Sequence, residues 1–422
     1  MSGPEMERDR EFDIVLYGAT GFVGRLTAQY LAGAGDSARI ALAGRSEERL
    51  GAVRESLGDK AKDWPLLTAD ASRPETLTAM AARTRVVVTT VGPYARYGLP
   101  LVAACAEAGT DYADLTGEVP FIRESIDRYH KQAVDTGARI VHACGFDSIP
   151  SDLTVFALYR QAQADGAGEL TVTDLLVRSF AGGVSGGTAA SMTEVLRTAA
   201  RDPQLRQAMN DPYTLSPDRG AEPEFGAQPD LRWRRGAQIA PELDGYWVAP
   251  FVMAVVNTRI VRRSNALLGY AYGRRFEYGE QMSVGRSVLA PAAAALAAAG
   301  NIAAAELGSR FLDKVPDRLI ERVLPKPGTG PSERVRERGH YTVDTYTVTT
   351  TGARYRATMS QQGDPGYKAT SVLLGESALA LALDRDRLSD LRGVLTPAAA
   401  MGDALLARFP GAGVSLQVSR LD

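Results

Sequence analysis

Tyr94 and Tyr97 stand three residues apart in the loop Val91-Gly92-Pro93-Tyr94-Ala95-Arg96-Tyr97-Gly98. A phenol there could give a proton or a hydrogen bond to a substrate carbonyl. Gly92-Pro93 would offer a fixed backbone against which a flat ring can lie. The competing expectation for each tyrosine is packing beneath the loop. A second loop offers Asp114, Thr116 and Glu118, and a third, Cys144 to Asp152, offers Asp147 and Ser148 to shape the same crevice. Ser151 or Asp152 could instead cap the helix that follows. His142 alternates within an apolar run and reads as a satisfied core histidine rather than a base.

Each of these loops follows a run rich in β-branched and apolar residues. The first such run, Phe12 to Tyr17, leads into Gly18-Ala19-Thr20-Gly21-Phe22-Val23-Gly24 and then a helical stretch. Strand, glycine turn and helix together bring bare backbone N–H groups and a helix N-terminus to an anion, the arrangement that holds a dinucleotide pyrophosphate. Gly18 permits the sharp turn, Gly21 the close approach of the phosphates, and Gly24 the tight packing of helix on strand. The spacing is GxxGxxG rather than GxGxxG, and an ordinary turn without ligand is the alternative. The second strand, 38–46, ends in Gly44-Arg45-Ser46, where an NAD site would place an acid for the ribose hydroxyl. A guanidinium there suits a 2′-phosphate, so NADPH is the expected cofactor. Thr20, Phe22, Val23, Asp70, Val91, Gly92 and Pro93 complete the expected cofactor contacts.

Further strands are expected at 64–70, 86–91, 110–115 and 139–144, with helices between them. Alternation of this kind gives a doubly wound parallel sheet, and ligands bind beyond the carboxyl ends of its strands. The fold class is α/β: a Rossmann-type sheet with a second, α+β domain. The expected divisions are a loose tail at 1–10, a nucleotide-binding domain at 11–150 and a substrate or partner domain at 151–365. C-terminal helices and a strand at 366–422 would return to the first domain. Within the second domain, 170–180 and 341–351 read as strands, the latter pairing with 355–360 across Gly352-Ala353. Residues 202–245 read as a long irregular connection.

The 422 residues carry 48 Lys and Arg against 50 Asp and Glu, so wholesale nucleic-acid binding is not expected. Two cysteines and no signal peptide point to a reducing cytoplasm. With three histidines and no CxxC or HExxH, no metal site is expected. Eight arginines between 231 and 275 (232, 234, 235, 259, 262, 263, 274 and 275) read as a solvated surface, or as a docking face for an acidic partner. Ser287 to Ala305 is uncharged, but its alanines gain little from lipid, so a buried or interfacial helix is expected rather than a span. The next stretch, Phe311 to Val323, is amphipathic. It reads as a self-neutralised surface helix, with peripheral attachment at the inner face of the plasma membrane as the alternative.

No tyrosine has a lysine four residues on, which excludes the Tyr-x-x-x-Lys pair of short-chain dehydrogenases, and no Gly-x-Ser-x-Gly elbow occurs. Semialdehyde dehydrogenases need a catalytic cysteine, for which Cys144 is poorly placed. The segments GATGFVG (18–24), AGRS (43–46), VGPY (91–94), DYADLTGE (111–118) and GFDSIPSD (145–152) resemble the saccharopine dehydrogenase-like oxidoreductases. So do PGTGP within 326–331, GDPGY (363–367) and GVLTP (393–397). Arg259 to Leu267 and Ala271 to Phe276 resemble the trans-acting enoyl reductases of mycobacterial polyketide-lipid biosynthesis. The resemblance implies NADPH-dependent reduction of a carbon–carbon double bond in an acyl chain carried on a polyketide synthase. The lipids implied are of the phthiocerol dimycocerosate and phenolic glycolipid type. On this reading Tyr94 or Tyr97 is donor and acid, Asp147 and Ser148 shape the crevice, and the arginine-rich stretch meets the acyl carrier domain. A non-turnover NADP redox sensor and a lipid-binding, membrane-peripheral protein are the alternatives.

Overall fold

The computed structural model describes residues 10–35, 37–182, 186–225, 228, 230–231, 234–287, 290–292, 294–296, 300 and 330–422. Phe12–Tyr17 (β1) is buried along its whole length. Such a run suits a strand covered on both faces, as in a parallel sheet. It pairs in parallel with Ile40–Gly44 (β2) and Thr84–Thr89 (β4). Leu66–Thr68 (β3), Asp111–Ala113 (β5) and Arg139–Val141 (β6) extend the sheet, again in parallel. With Gly393–Leu395 (β12) beside β6, the spatial order is β12-β6-β5-β4-β1-β2-β3. The order reverses between β1 and β4. Loops leaving β1 and β4 therefore face each other at the crevice where such sheets bind ligands.

The second sheet has the order β13-β11-β10-β7-β9-β8. Its centre is Leu170–Ala181 (β7), antiparallel to His340–Thr349 (β10) and parallel to Glu277–Gly285 (β9). Arg354–Gln362 (β11) returns along β10 through a turn in which Gly352 has φ +87°. Trp247–Pro250 (β8) closes one edge and Val414–Arg420 (β13) the other. The helix Ile149–Ala164 packs on the second sheet against β10 and β11, and also touches Pro397–Arg408.

The C-terminal segment divides between the two sheets. Thr370–Leu383, almost wholly buried, lies against β1, β4, β5 and the helix Phe22–Ala34. The two helices approach closely because position 375 is glycine: a Cβ there would stand 2.4 Å from the Tyr30 ring. The terminal strand does not follow these helices to the first sheet. It pairs with β11, while the short GVL segment 393–395, too brief to announce a strand, joins the first sheet instead. Part of 202–245 is also more regular than its composition implies. Asp202 caps a helix at Pro203–Asn210 with its side chain accepting from Gln204 and Leu205 N–H.

The arginine-rich stretch departs most from expectation. Arg259, Arg262 and Arg263 lie on the helix Ala254–Leu267 and are buried. Arg259 pairs with Asp230 at 2.7 Å and donates to the Met209 carbonyl. Arg262 donates to the carbonyl of Pro212 and the side chain of Gln228, both at 3.2 Å. Arg263 donates to the carbonyls of Leu215 and, at 2.6 Å, Val394 in β12, and burial pushes its guanidinium down to about 9. These three are internal ties, so they form neither a solvated surface nor a face for an acidic carrier. Arg234 pairs with Asp174, while Arg235, Arg274 and Arg275 lie over Trp247, Tyr270 and Phe225. Arg232, most of the uncharged 287–305 stretch and the amphipathic 311–323 stripe lie outside the described residues, as does most of 326–331.

Candidate functional site: a nucleotide turn between two domains

Gly18 leaves β1 with φ +90°, a conformation that glycine takes without strain. A side chain there would meet Val91 Cγ2 at 2.7 Å and Thr90 Oγ1 at 2.9 Å. A Cβ on Gly24 would stand 2.1 Å from the Gly18 carbonyl oxygen, so this glycine sets the approach of helix to turn. Gly21 is different: it is exposed, and a Cβ would meet only the Gly18 oxygen, at 3.3 Å. The free space over Gly21 opens outward. Gly21 is also the N-cap of Phe22–Ala34, with no side-chain cap and no acid in the first turn. The helix dipole and unshared N–H groups are therefore left to an external anion, and the residues fit a dinucleotide pyrophosphate. Thr20, Phe22 and Val23 are half-buried around this opening. The Thr90 hydroxyl donates to the Gly18 carbonyl at 3.2 Å, fastening the two switch-point loops together.

Arg45 is exposed immediately after β2. Its neighbour Ser46 is committed to the next helix, accepting from Arg49 N–H at 3.3 Å. Asp70 stands just past β3. Its carboxylate accepts from the N–H and hydroxyl of Ser72, and these bonds hold it below the usual carboxylate range, with Arg45 and Arg73 adding to the effect. Arg45 is left as a cation at the strand ends, where a 2′-phosphate would be received.

The loop after β4 is built around Glu118. Its buried carboxylate accepts the N–H of Tyr94 at 2.9 Å and of Ala95 at 2.7 Å, which caps the single helical turn Tyr94–Tyr97 after Pro93. It also accepts the Ser191 hydroxyl, at 2.6 Å, from the second-domain helix Gly186–Arg201. Burial raises this carboxyl despite the three donors. Val91, whose N–H donates to Thr89 Oγ1 at 3.2 Å, Gly92 and Pro93 line the entrance to the turn. Tyr94 packs beneath the loop. Its hydroxyl donates to the Thr89 carbonyl at 3.3 Å and accepts from Leu115 N–H at 3.2 Å, and burial pushes the phenol far above its ordinary value. Tyr97 is 42% exposed.

Other expected site groups are drawn into the interior. Asp114 accepts from Tyr112, Thr116 and Ala143 and contacts His142 Nδ1 at 2.8 Å, while His142 Nε2 meets Ser125 Oγ at 2.8 Å. All are buried, so His142 is the satisfied core residue its alternation implied. Burial also raises the Cys144 thiol, the opposite of what a nucleophile needs. Ser148 donates to Asn257 Oδ1 at 2.8 Å, and Asn257 Nδ2 donates to Glu280 at 3.0 Å. Tyr278 donates to the other Glu280 oxygen at 2.8 Å. Burial pushes Glu280 up to about 7. Asp147 is half-buried beside Ser148. Asp152 does not cap its own helix. It accepts from Ala398 N–H at 2.7 Å, at the start of Pro397–Arg408, and from Ser264, and burial pushes it up to about 7.

The second domain and the start of the C-terminal segment also reach the glycine turn. The Phe22 and Tyr367 rings meet edge to face with centroids 5.0 Å apart, and Tyr367 Oη accepts from Gly186 N–H at 3.1 Å. The Arg336 guanidinium lies over the Phe22 ring, 5.3 Å from its centroid. The GDPGY segment flagged Tyr367, but nothing local singled out Arg336, Ser191, Asn257 or Glu280. Among the described residues, no three His, Cys, Asp or Glu side chains gather as a metal site would require.

Residues 14–141 match the saccharopine dehydrogenase NADP-binding domain family. Over 412 residues the chain is 71% identical to a Mycobacterium tuberculosis protein provisionally named a trans-acting enoyl reductase, covering 98% of each chain. It is 66% identical over 415 residues to a second M. tuberculosis protein named a trans-acting enoyl reductase, covering 98% of this chain and 99% of that one. Among solved structures, apo saccharopine dehydrogenase (L-Glu forming) from Saccharomyces cerevisiae superposes with TM-score 0.53 at 13% identity. That match covers 97% of this chain and 99% of that one, and it establishes a shared fold. The parallel sheet, the open glycine turn and the near-full-length identity converge: this chain belongs to the trans-acting enoyl reductase family, built on a saccharopine dehydrogenase-type NADP-binding domain.

Proposed function

We propose that the protein is a trans-acting enoyl reductase that uses NADPH to saturate the α,β double bond of an acyl thioester carried by a polyketide synthase. The observation that carries this reading is the near-full-length identity to proteins of that name, joined to a glycine turn open to a pyrophosphate. The chemistry the cofactor would supply when bound is hydride for the β-carbon of the enoyl chain. Gly18, Gly21 and Gly24 shape the pyrophosphate seat and Arg45 receives the 2′-phosphate. Glu118 holds the Tyr94–Tyr97 turn in place, with Val91, Gly92 and Pro93 forming the wall against the ring. Negative charge then builds on the thioester oxygen and the α-carbon takes a proton. Tyr97, the exposed phenol of the pair, is the group we assign to that oxygen and proton. Tyr94 supports the loop from below, and Asp147 with the Ser148–Asn257–Glu280 chain fixes the crevice wall.

A trans-acting reductase must accept its substrate from another protein, so an acyl carrier domain is the expected partner. Its docking face is not the buried arginine helix. No helix among the described residues is long and apolar enough to cross a membrane. The reading is tested by mixing the purified chain with NADPH and a 2-enoyl N-acetylcysteamine or carrier-bound thioester. NADPH oxidation with a saturated acyl product is expected; an unreduced thioester, with NADPH oxidised on some other substrate, would sink it.

A further inference from the structure

The glycine turn belongs to the first domain, yet three residues from well beyond it, two in the second domain and one at the start of the C-terminal segment, converge on Phe22, the first residue of its helix. A Cβ on Gly330 would stand 2.4 Å from the Phe22 ring, Tyr367 meets it edge to face, and Arg336 lies 5.3 Å from its centroid. Arg336 sits on the short helix Glu333–Arg338, and its carbonyl is fastened by Asp364 N–H at 2.9 Å. One guanidinium nitrogen, Nη1, donates to the Pro331 carbonyl at 2.7 Å. Among the described residues no acid forms an ion pair with it. Burial pushes the Asp364 carboxyl up, and the Arg336 charge that it feels pulls it down; Asp364 is buried and its Oδ1 accepts from Lys368 N–H, but no hydrogen bond joins its side chain to the guanidinium.

A half-buried guanidinium with donors to spare thus stands one side chain away from the uncapped helix N-terminus. Guanidinium suits phosphate oxygens because its forked donors can bind two at once and it is weakly hydrated. We propose that Arg336 is a cofactor-binding residue supplied by the second domain, bonding the dinucleotide pyrophosphate held at the N-terminus of Phe22–Ala34. The proposal rests on the NADPH reading above. It gives the two arginines separable tasks: Arg45 reads the 2′-phosphate that distinguishes NADPH from NADH, whereas Arg336 binds the pyrophosphate common to both. The second domain would then take part in holding the cofactor.

The test is titration of the full chain with NADPH and with NADH, followed by calorimetry, for wild type, Arg336→Met, Arg336→Lys and Arg45→Ala. Met keeps a flexible unbranched side chain beside Phe22 and removes the charge. Arg336→Met is expected to raise both dissociation constants by a similar factor, roughly tenfold or more, the scale of a charge-assisted hydrogen bond. Arg336→Lys, which keeps the charge without the fork, is expected to fall between Met and wild type. Arg45→Ala is expected to weaken NADPH alone. An Arg336→Met chain that melts like wild type and binds both nucleotides unchanged overturns the proposal, as does one that loses affinity for NADPH only. A wild-type chain that binds neither nucleotide overturns the NADPH reading itself, and the Arg336 contact with it.

Discussion

The Glu118 carboxylate accepts the backbone N–H of Tyr94 at 2.9 Å, across 24 residues of sequence. With Ala95 and Ser191 as further donors, one buried acid fixes the loop after β4 and ties it to the second domain. Glu118→Ala leaves the buried N–H of Tyr94 and the part-buried N–H of Ala95 unmet, so the chain should lose about 2 kcal/mol of stability. Its KM for the thioester should rise while NADPH affinity stays within about twofold. Thermal melts and separate cofactor titrations check the two halves.

The three glycines should behave differently on substitution. Gly24→Ala and Gly18→Ala force a Cβ into backbone or into the β4 loop, so both should lower the melting temperature and abolish nucleotide binding together. Gly21→Ala meets nothing nearer than 3.3 Å. It should fold like wild type while binding NADPH about tenfold or more weakly, because the new methyl group occupies the approach of the phosphates. Circular dichroism melts beside NADPH titration separate the two classes.

The two tyrosines offer a second contrast. Tyr94→Phe removes a buried hydroxyl that bonds Thr89 and Leu115, so it should cost about 1–2 kcal/mol of stability. Tyr97→Phe removes an exposed hydroxyl. It should leave stability unchanged and lower kcat by about a hundredfold if that phenol serves the enolate. Melting curves and steady-state kinetics on both variants read the difference.

The shape of the glycine turn and the place of Arg45 just past β2 were legible because each is local: a turn, a helix start, a strand end. The strands of the first domain were legible for the same reason, since runs such as Val86-Val87-Val88 carry their burial in their composition. The buried arginines were not. Arg259, Arg262 and Arg263 look like surface charge, and the groups that accept from them include the carbonyls of residues 209, 212, 215 and 394, which leave no mark on side-chain sequence. Tyr94 and Tyr97 were equivalent in sequence because the partners that bury one of them, Leu115 and Glu118, lie on another loop. The final strand was misplaced because its partner, β11, is chosen by register across the second sheet.

Buried acids give a pH dependence of defined sign. Burial pushes Glu280 up to about 7 from its ordinary 4.5, with Ser151, Asn257 and Tyr278 bonding to it and Asp230 adding to the rise. Between those pH values the native state keeps a proton that the unfolded chain has released. The stabilisation is therefore full below pH about 4.5 and lost as pH rises through about 7, on the order of 3 kcal/mol. Asp152 acts in the same direction. Glu280→Gln should flatten the fall in melting temperature between about pH 5 and 8, and an unchanged slope would assign that fall to other groups.

The central claim is that hydride passes from NADPH to the β-carbon of an enoyl thioester. It is tested most directly with NADPH deuterated at C4 on either face, incubated with the enzyme and a carrier-bound 2-enoyl chain. Mass spectrometry and NMR of the product locate the label. The account predicts one deuterium at the β-carbon of a saturated acyl chain, delivered from one face only. Label found in a different product, with the double bond intact, would contradict it.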